Sequence, residues 1–437
     1  MTLQRPVVPL LVPDLPDRHA LWPYLQRMDE ARQYSNFGPL VRDLESQLAA
    51  MFTARSGGAR PVHVTTVGSA TLGLELALAS MNLKPGARVL LPAFTFVATA
   101  TAVIRAGLVP VIADIDRDSW ALTPEIADAA FVAKPFDAVL PVAAFGQPHD
   151  VGPWQAFSQR RGVPVLIDAA GAFGSQWLGS FDKASSPSTT QPNITLVFSL
   201  HTTKSLPAGE GGLVVSSNAA QIRQVRQRSN FGINLDPARD VPVGVTDMLG
   251  TNAKLSEYHA AVALASLARW QDRAAVRRGV MARCRAALSD ASNGQIVWQA
   301  GEEVAAPTLL CLRWPGAGKG SGAADRLERE CAARGVMTRR WYQPLLHRHP
   351  LAAGCAEHLG TPVADELASE LIGLPFFPDM SAEQIALVAK CVARVARDIG
   401  GQHGSSKDSA TLPSRSKIRT STQSTASTIE PSPHGHS

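Results

Sequence analysis

Val163-Pro164-Val165-Leu166-Ile167-Asp168-Ala169-Ala170-Gly171 is a run of apolar, β-favouring residues that stops at a carboxylate and passes into small residues. Its apolar positions are continuous rather than alternating, the pattern of a strand covered on both faces, as strands are in parallel sheets packed between helices. Similar short runs recur on either side of it, at 62–67, 88–91, 109–115, 138–144, 194–200 and 212–217. The stretches between them are helix-like: 70–81 carries Leu72/Leu76 and Leu74/Leu78 as i,i+4 pairs, and 98–106 is Ala-rich. This alternation predicts an α/β fold with a doubly wound, mostly parallel sheet in the large domain.

Working outward, Pro39 suits the first turn of a helix that continues through Leu40, Leu44, Leu48 and Met51. After Gly250 the pattern changes to one long Ala/Arg helix over 256–286, read as a connector into a smaller α+β C-terminal domain. That domain is expected to hold a strand at 308–314, a helix at 323–334, a turn at Gly335 and a last helix at 382–399 capped by Ser381. From 400 to 437 the chain is rich in Ser and Thr and poor in apolar residues, the composition of a disordered tail. The expected organisation is therefore an N-terminal segment (1–25), a large domain (26–255), a connecting helix with the small domain (256–399), and the tail.

The 437 residues, 45% hydrophobic and 18% charged, are enough for two or three domains with a large core. A net charge of +5 over this length is too diffuse for a nucleic-acid binder, whose basic residues concentrate in a stripe. No apolar run approaches a membrane span or a signal sequence. The five cysteines are odd in number and lack a CxxC pair, which points to a reducing cytoplasm.

Chemistry concentrates where strands are expected to end. Lys204 follows the run Phe198-Ser199-Leu200 and precedes the Gly-rich Gly209-Glu210-Gly211-Gly212, at the sheet edge where open α/β folds bind ligands. Asp168 would emerge at the same edge, desolvated and in need of a cation. Ser69-Ala70 leads from a strand into a helix, whose first N–H groups favour a phosphate. Each residue also has a plain structural reading: a solvated loop lysine, a turn-capping aspartate, an ordinary serine N-cap. Taken together, a lysine able to condense with an aldehyde, a buried carboxylate and a phosphate-binding helix start are what pyridoxal 5′-phosphate requires. Phe96 could stack on its ring, or be core.

Other motifs are incomplete. Gly316-Ala317-Gly318-Lys319-Gly320-Ser321 has Arg313 where a P-loop needs its first glycine, and Gly after the lysine. His347 and His349 form an HxH without a nearby thiol or carboxylate to complete a metal site, and no GxGxxG follows a strand.

The chain resembles the DegT/StrS family of PLP-dependent sugar aminotransferases, of fold type I architecture, from about Arg5 to Ala396. The segments that carry the resemblance are Asn36-Phe37-Gly38-Pro39, Gly68-Ser69-Ala70, Pro92 to Thr99, Phe145-Gly146-Gln147-Pro148, Asp168-Ala169-Ala170, Ser199 to Lys204, Gly209 to Gly212 and Leu249-Gly250-Thr251-Asn252. It implies that Lys204 holds the cofactor covalently, Asp168 pairs with the ring nitrogen, and Phe96 lies against the ring. It also places Ser69, the Ala70 N–H and Ser199 at the phosphate. Asn252 would reach the phosphate of the neighbouring subunit's cofactor, making a homodimer with shared sites; alternatively it caps the helix beginning near Ser256. The implied substrates are a keto-sugar on a nucleoside diphosphate and glutamate as amino donor, without nucleic-acid or membrane partners. Four positions depart from the family: Gly171 stands where Gln is usual, Ala143 where many members have His, and Ala253-Lys254 where Tyr-Arg is usual. The competing functions are a PLP-dependent sugar dehydratase, against which Lys204 argues, and a PLP-binding regulatory protein with reduced catalysis.

Overall fold

The computed structural model describes residues 7–58, 60–179, 194–315 and 322–404. Arg5, the segment 316–321 and the tail from 405 onward lie outside the described residues.

All seven expected strands are present: β1 (His63–Val67), β2 (Arg88–Pro92), β3 (Val109–Ala113), β4 (Ala138–Val139), β5 (Val165–Asp168), β6 (Ile194–Ser199) and β7 (Gly212–Ser216). With β9 (Glu357–His358) they make one sheet in the order β1-β7-β6-β5-β4-β2-β3-β9. Only β7 runs against the rest, pairing antiparallel with both β1 and β6. Strand β5 shows why its apolar run is unbroken. Val165 and Ile167 enter the core shared with Leu40, Leu44 and Phe52, whereas Leu166 enters the opposite core with Leu74, Leu78 and Val103. Both faces of the strand are covered by helices, so no position on it can be polar without a partner.

Local sequence sets the helix ends. Helix Pro39–Arg55 begins with Pro at its first turn, behind a glycine that offers no capping side chain. The cap comes from elsewhere in the chain: Leu40 N–H and Val41 N–H donate to the Glu257 carboxylate at 2.7 and 3.0 Å. Gly38 is needed for that approach, since a Cβ there would lie 2.6 Å from the Glu257 carboxyl carbon. The last helix starts with a reciprocal capping box, Gln384 N–H donating to Ser381 Oγ and Ser381 N–H to Gln384 Oε1.

A third buried cluster joins β8 (Leu310–Arg313) and β10 (Leu371–Leu374), which pair antiparallel, with helices Ala323–Ala332 and Ala382–Gly404. Several expectations need correction. The 138–144 run is a strand only over Ala138–Val139; beyond it the chain turns into a short 3-10 segment, where Phe145 has φ +57°. The single helix over 256–286 is two, Glu257–Ala268 and Trp270–Ala291, broken at Arg269, whose φ/ψ of −106°/7° leaves the helical region. The first of them packs in the core of the large sheet through Ala260, Ala261 and Leu264. The boundary at residue 25 falls inside helix Arg18–Ala31, and the final helix runs to Gly404, past the expected start of the tail. No described helix is long and apolar enough to cross a membrane.

Candidate active site

The carboxyl ends of β1, β2, β5 and β6 and the start of the reversed strand β7 meet at one edge of the sheet. A cavity of about 380 Å³ opens there, lined by Ser69, Ala70, Phe96, Asp168, Ser199 and Lys204 among others. Six of the seven expected residues therefore share one cavity.

Asp168 is the last residue of β5 and is 6% exposed. Its Oδ2 accepts from Thr99 Oγ1 at 2.9 Å and its Oδ1 from Ala170 N–H at 3.1 Å, so it caps its turn and also faces the cavity. Thr95 Oγ1 lies 2.8 Å from Thr99 Oγ1 and extends the network. Burial pushes the Asp168 carboxyl above the usual carboxylate range, against the two hydrogen bonds and the charge of Lys204. Burial pushes the Lys204 ammonium below the usual lysine value, with Asp168 opposing. The two groups thus share an environment that favours their neutral forms.

Lys204 is held by the backbone of its own loop. Leu200 N–H donates to Gly211 O, Ala208 N–H to Leu200 O, Thr202 N–H to Gly209 O and Lys204 N–H to His201 O, all within 2.7–2.9 Å. Gly209 at φ +86° and Gly211 at φ +149° close this loop in a region that other residues rarely adopt.

Ser69 caps helix Ala70–Ser80, its Oγ accepting from Leu72 N–H at 3.2 Å. The serine N-cap reading is therefore correct for the side chain, and Ala70 and Thr71 of that first turn line the cavity. Gly212 lets the helix start sit directly on β7: a Cβ there would come within 2.7 Å of Ala70 N. Ser199, at the end of β6, accepts from His201 N–H at 3.2 Å. Phe96 is 56% exposed on the cavity wall, which removes its core reading.

Asn252 does not line this cavity. It is exposed, and its Oδ1 accepts from Lys254 Nζ at 2.7 Å, so its amide N–H groups are not used in that contact. The helix after it is capped by Ser256, whose Oγ accepts from His259 N–H, so the capping alternative for Asn252 does not hold.

The sequence reading did not single out Thr99, Gly212 as a close approach, Leu11, Trp341 or Tyr342, all at this site. Tyr342 stacks on Phe145 with centroids 5.3 Å apart and meets Phe94 edge-on at 5.1 Å. Thr95 and Thr99, four apart in a quoted segment, carried a usable signal; the aromatic pair carried none. The HxH histidines take separate partners: His347 stacks on His358, and His349 Nε2 lies 3.0 Å from Pro344 O. Gly171 and Ala143 both line the cavity.

The architecture is that of the fold type I PLP-dependent aminotransferases. A Bacillus cereus ATCC 10987 crystal structure superposes with a TM-score of 0.76 at 26% identity, over 88% of this chain and 99% of that one. DesI, solved in the presence of its TDP-sugar product, gives a TM-score of 0.73 at 29% identity, over 92% and 96%. The model of the DegT/DnrJ/EryC1/StrS aminotransferase family matches residues 18–393, and the chain belongs to that family. Among its relatives, the UDP-N-acetyl-3-dehydro-alpha-D-glucosamine 3-aminotransferase of Acidithiobacillus ferrooxidans is 30% identical over 369 residues, covering 81% of this chain and 88% of that protein. The protein is a PLP-dependent aminotransferase.

Proposed function

We propose that the enzyme transfers an amino group from glutamate to a keto-sugar carried on a nucleoside diphosphate. The observation that carries this reading is the convergence of Lys204, Asp168 and the Ser69–Ala70 helix start on one cavity. The residues fit pyridoxal phosphate: the helix start at Ala70 and Thr71 faces the cavity and would offer its first backbone N–H groups to a phosphate, with hydroxyls at Ser69 and Ser199. When bound, the cofactor supplies an electron-withdrawing ring that stabilises negative charge on the carbon bearing the amine.

Lys204 would hold the cofactor covalently and, as a free amine, would carry the proton of the substrate carbon; its lowered ammonium pKa favours the free base that this needs. Asp168 would receive the ring N–H, and Thr99 and Ala170 fix the direction of its carboxylate. Phe96, exposed on the cavity wall, would lie against the ring. Asn252 would donate to the phosphate in the neighbouring subunit of a homodimer, with Lys254, which donates to its Oδ1, orienting its amide. The nucleotide-sugar reading is supported by the names of the Acidithiobacillus relative and of the DesI complex.

The deciding experiment adds glutamate to the purified holoenzyme and follows its visible absorbance. Loss of that absorbance, restored by UDP-N-acetyl-3-dehydro-glucosamine or another nucleotide keto-sugar, is expected. No response to glutamate, or restoration by simple keto acids alone, overturns the proposal. The shared site is checked by mixing inactive Lys204→Ala and inactive Asn252→Ala chains, which should regain activity as hybrid dimers. Exchange of subunits without recovery refutes the role of Asn252.

A further inference from the structure

The structure points to the segment 7–17 as a strap over the active-site cavity, with Leu11 as a specificity-determining wall and Asp14 as the latch that positions it. We propose this assignment as a deepening of the aminotransferase reading, on which the identity of the occupant rests.

The strap crosses the molecule as single chain, anchored at both ends. At one end Val8 is fully buried, its N–H donates to Gly335 O at 3.2 Å, and its carbonyl accepts from Met337 N–H at 3.0 Å. Leu10 O accepts from Phe376 N–H at 3.0 Å. These contacts tie the strap to the cluster around β8 and β10. At the other end Asp14 is bound by the connecting helices: Arg269 Nη2 donates to its carbonyl at 2.7 Å and to its Oδ1 at 3.0 Å, and Arg273 Nε donates to its Oδ2 at 2.8 Å. Arg277 Nη2 stands 3.6 Å from the same carboxylate. Between the anchors, Leu11 lines the cavity that holds Lys204 and Asp168, while Val12 is exposed.

The charge arrangement makes the anchor specific. Arg269, Arg273 and Arg277 lie one turn apart on one side of the connector, and the carboxylate they share belongs to the strap. A further carboxylate, Asp379, is largely exposed, 3.5 Å from Arg273. Arg277 is buried, and its Nε has no described hydrogen-bond partner. Removing Asp14 would leave three like charges with only the exposed Asp379 beside them, one of the three out of water, so the helix face favours the strapped state. Leu11, three residues before the latch, is held in place by it.

Leu11 shares the cavity wall with Trp341 and Tyr342. One aliphatic and two aromatic side chains suit the apolar face of a ring-shaped acceptor such as a sugar more than the short chain of glutamate. Truncating Leu11 should then act on one half-reaction and not the other.

The test uses the holoenzyme with Leu11→Ala, Leu11→Met and Asp14→Asn, with glutamate and UDP-N-acetyl-3-dehydro-glucosamine as probes. Leu11→Ala should raise KM for the sugar nucleotide about 10-fold, the scale of a lost apolar pocket contact. The glutamate half-reaction should stay within about 2-fold, and Leu11→Met should restore the sugar KM. Equal effects on both half-reactions, or none, overturn the role of Leu11. The latch is read separately by hydrogen exchange: Asp14→Asn should speed exchange at the amides of Val8, Met337 and Phe376 about 10-fold or more, with Ile167 in the sheet core unchanged. Unchanged exchange at those three amides overturns the latch. A wild-type enzyme that accepts glutamate but not the sugar nucleotide refutes the substrate reading; the exchange measurement still decides the latch, and Leu11 is then decided by the same ratio with a TDP-linked keto-sugar, where no acceptor-selective effect overturns it.

Discussion

Glu257 and Asp168 are carboxylates of nearly equal burial, 0% and 6% exposed, in surroundings that differ in kind. Glu257 sits inside the protein with each oxygen taken by a backbone N–H of one helix start, and glycine at 38 keeps the space clear for it. Asp168 has one hydroxyl and one N–H, and the rest of its capacity turns to a cavity shared with Lys204. A carboxylate can accept about four hydrogen bonds, so neither is saturated by count. The difference is where the remainder points: Glu257 is closed off by protein, whereas Asp168 is left for a ligand to complete. A buried carboxylate that completes a helix stabilises the fold; one held short of completion beside a lysine is prepared for chemistry.

Four substitutions and a titration sharpen this contrast. Lys204→Ala should lower turnover about 10⁴-fold or more, since it removes both the covalent anchor and the proton carrier. Borohydride treatment followed by peptide mapping should find the cofactor on Lys204 in the wild type; an adduct on another lysine would sink the assignment. Asp168→Asn comes next, with a loss of about 10²-fold or more in turnover, because a neutral amide cannot hold the ring nitrogen protonated. Its apoprotein should melt no lower than wild type, since a neutral amide avoids the desolvation that already pushes the buried carboxyl toward its neutral form. Near wild-type turnover would reduce Asp168 to a turn cap.

Glu257→Ala should behave in the opposite way. It removes two charge-assisted hydrogen bonds and leaves two buried N–H groups bare, a loss of about 3 kcal/mol or more, read as a lower denaturation midpoint. Turnover per folded molecule should remain within about 2-fold, and Glu257→Gln should recover part of the stability. A selective loss of activity without loss of stability would erase the distinction drawn between the two carboxylates.

The smallest effect concerns pH. Covalent capture of pyridoxal phosphate by the apoprotein needs Lys204 as the neutral amine. Because burial lowers its pKa, the capture rate should level off at a lower pH than for a free lysine, whose value is about 10.4. Asp168 opposes that shift, so Asp168→Asn should move the plateau to a still lower pH. A plateau at the free-lysine value in both proteins would contradict the burial argument.

Much of the fold was legible because buried parallel strands are written locally. Most of the seven runs are continuously apolar, as strands covered on both faces are, and several end at Gly, Pro, Ser or Asp. Where the run was not a strand throughout, at 138–144, apolarity recorded burial and not conformation: Ala143, Ala144 and Phe145 are buried in a turn. The same limit explains the helix break at Arg269, which no Gly or Pro announces.

The sequence by itself determined the order of strands and helices, the edge at which they end, and the lysine, aspartate and serine placed there, since each follows from neighbours within a few residues. The tertiary structure alone decided who meets whom. Thr99 reaches Asp168 across 69 positions, Glu257 caps a helix 217 positions away, and Asp14 finds Arg269 across 255. Leu11 and Tyr342 come from opposite ends of the chain to wall one cavity. Periodicity states which face of an element is apolar and where it stops; it carries no information about which distant segment will cover that face, because that choice is made by the packing of the whole chain.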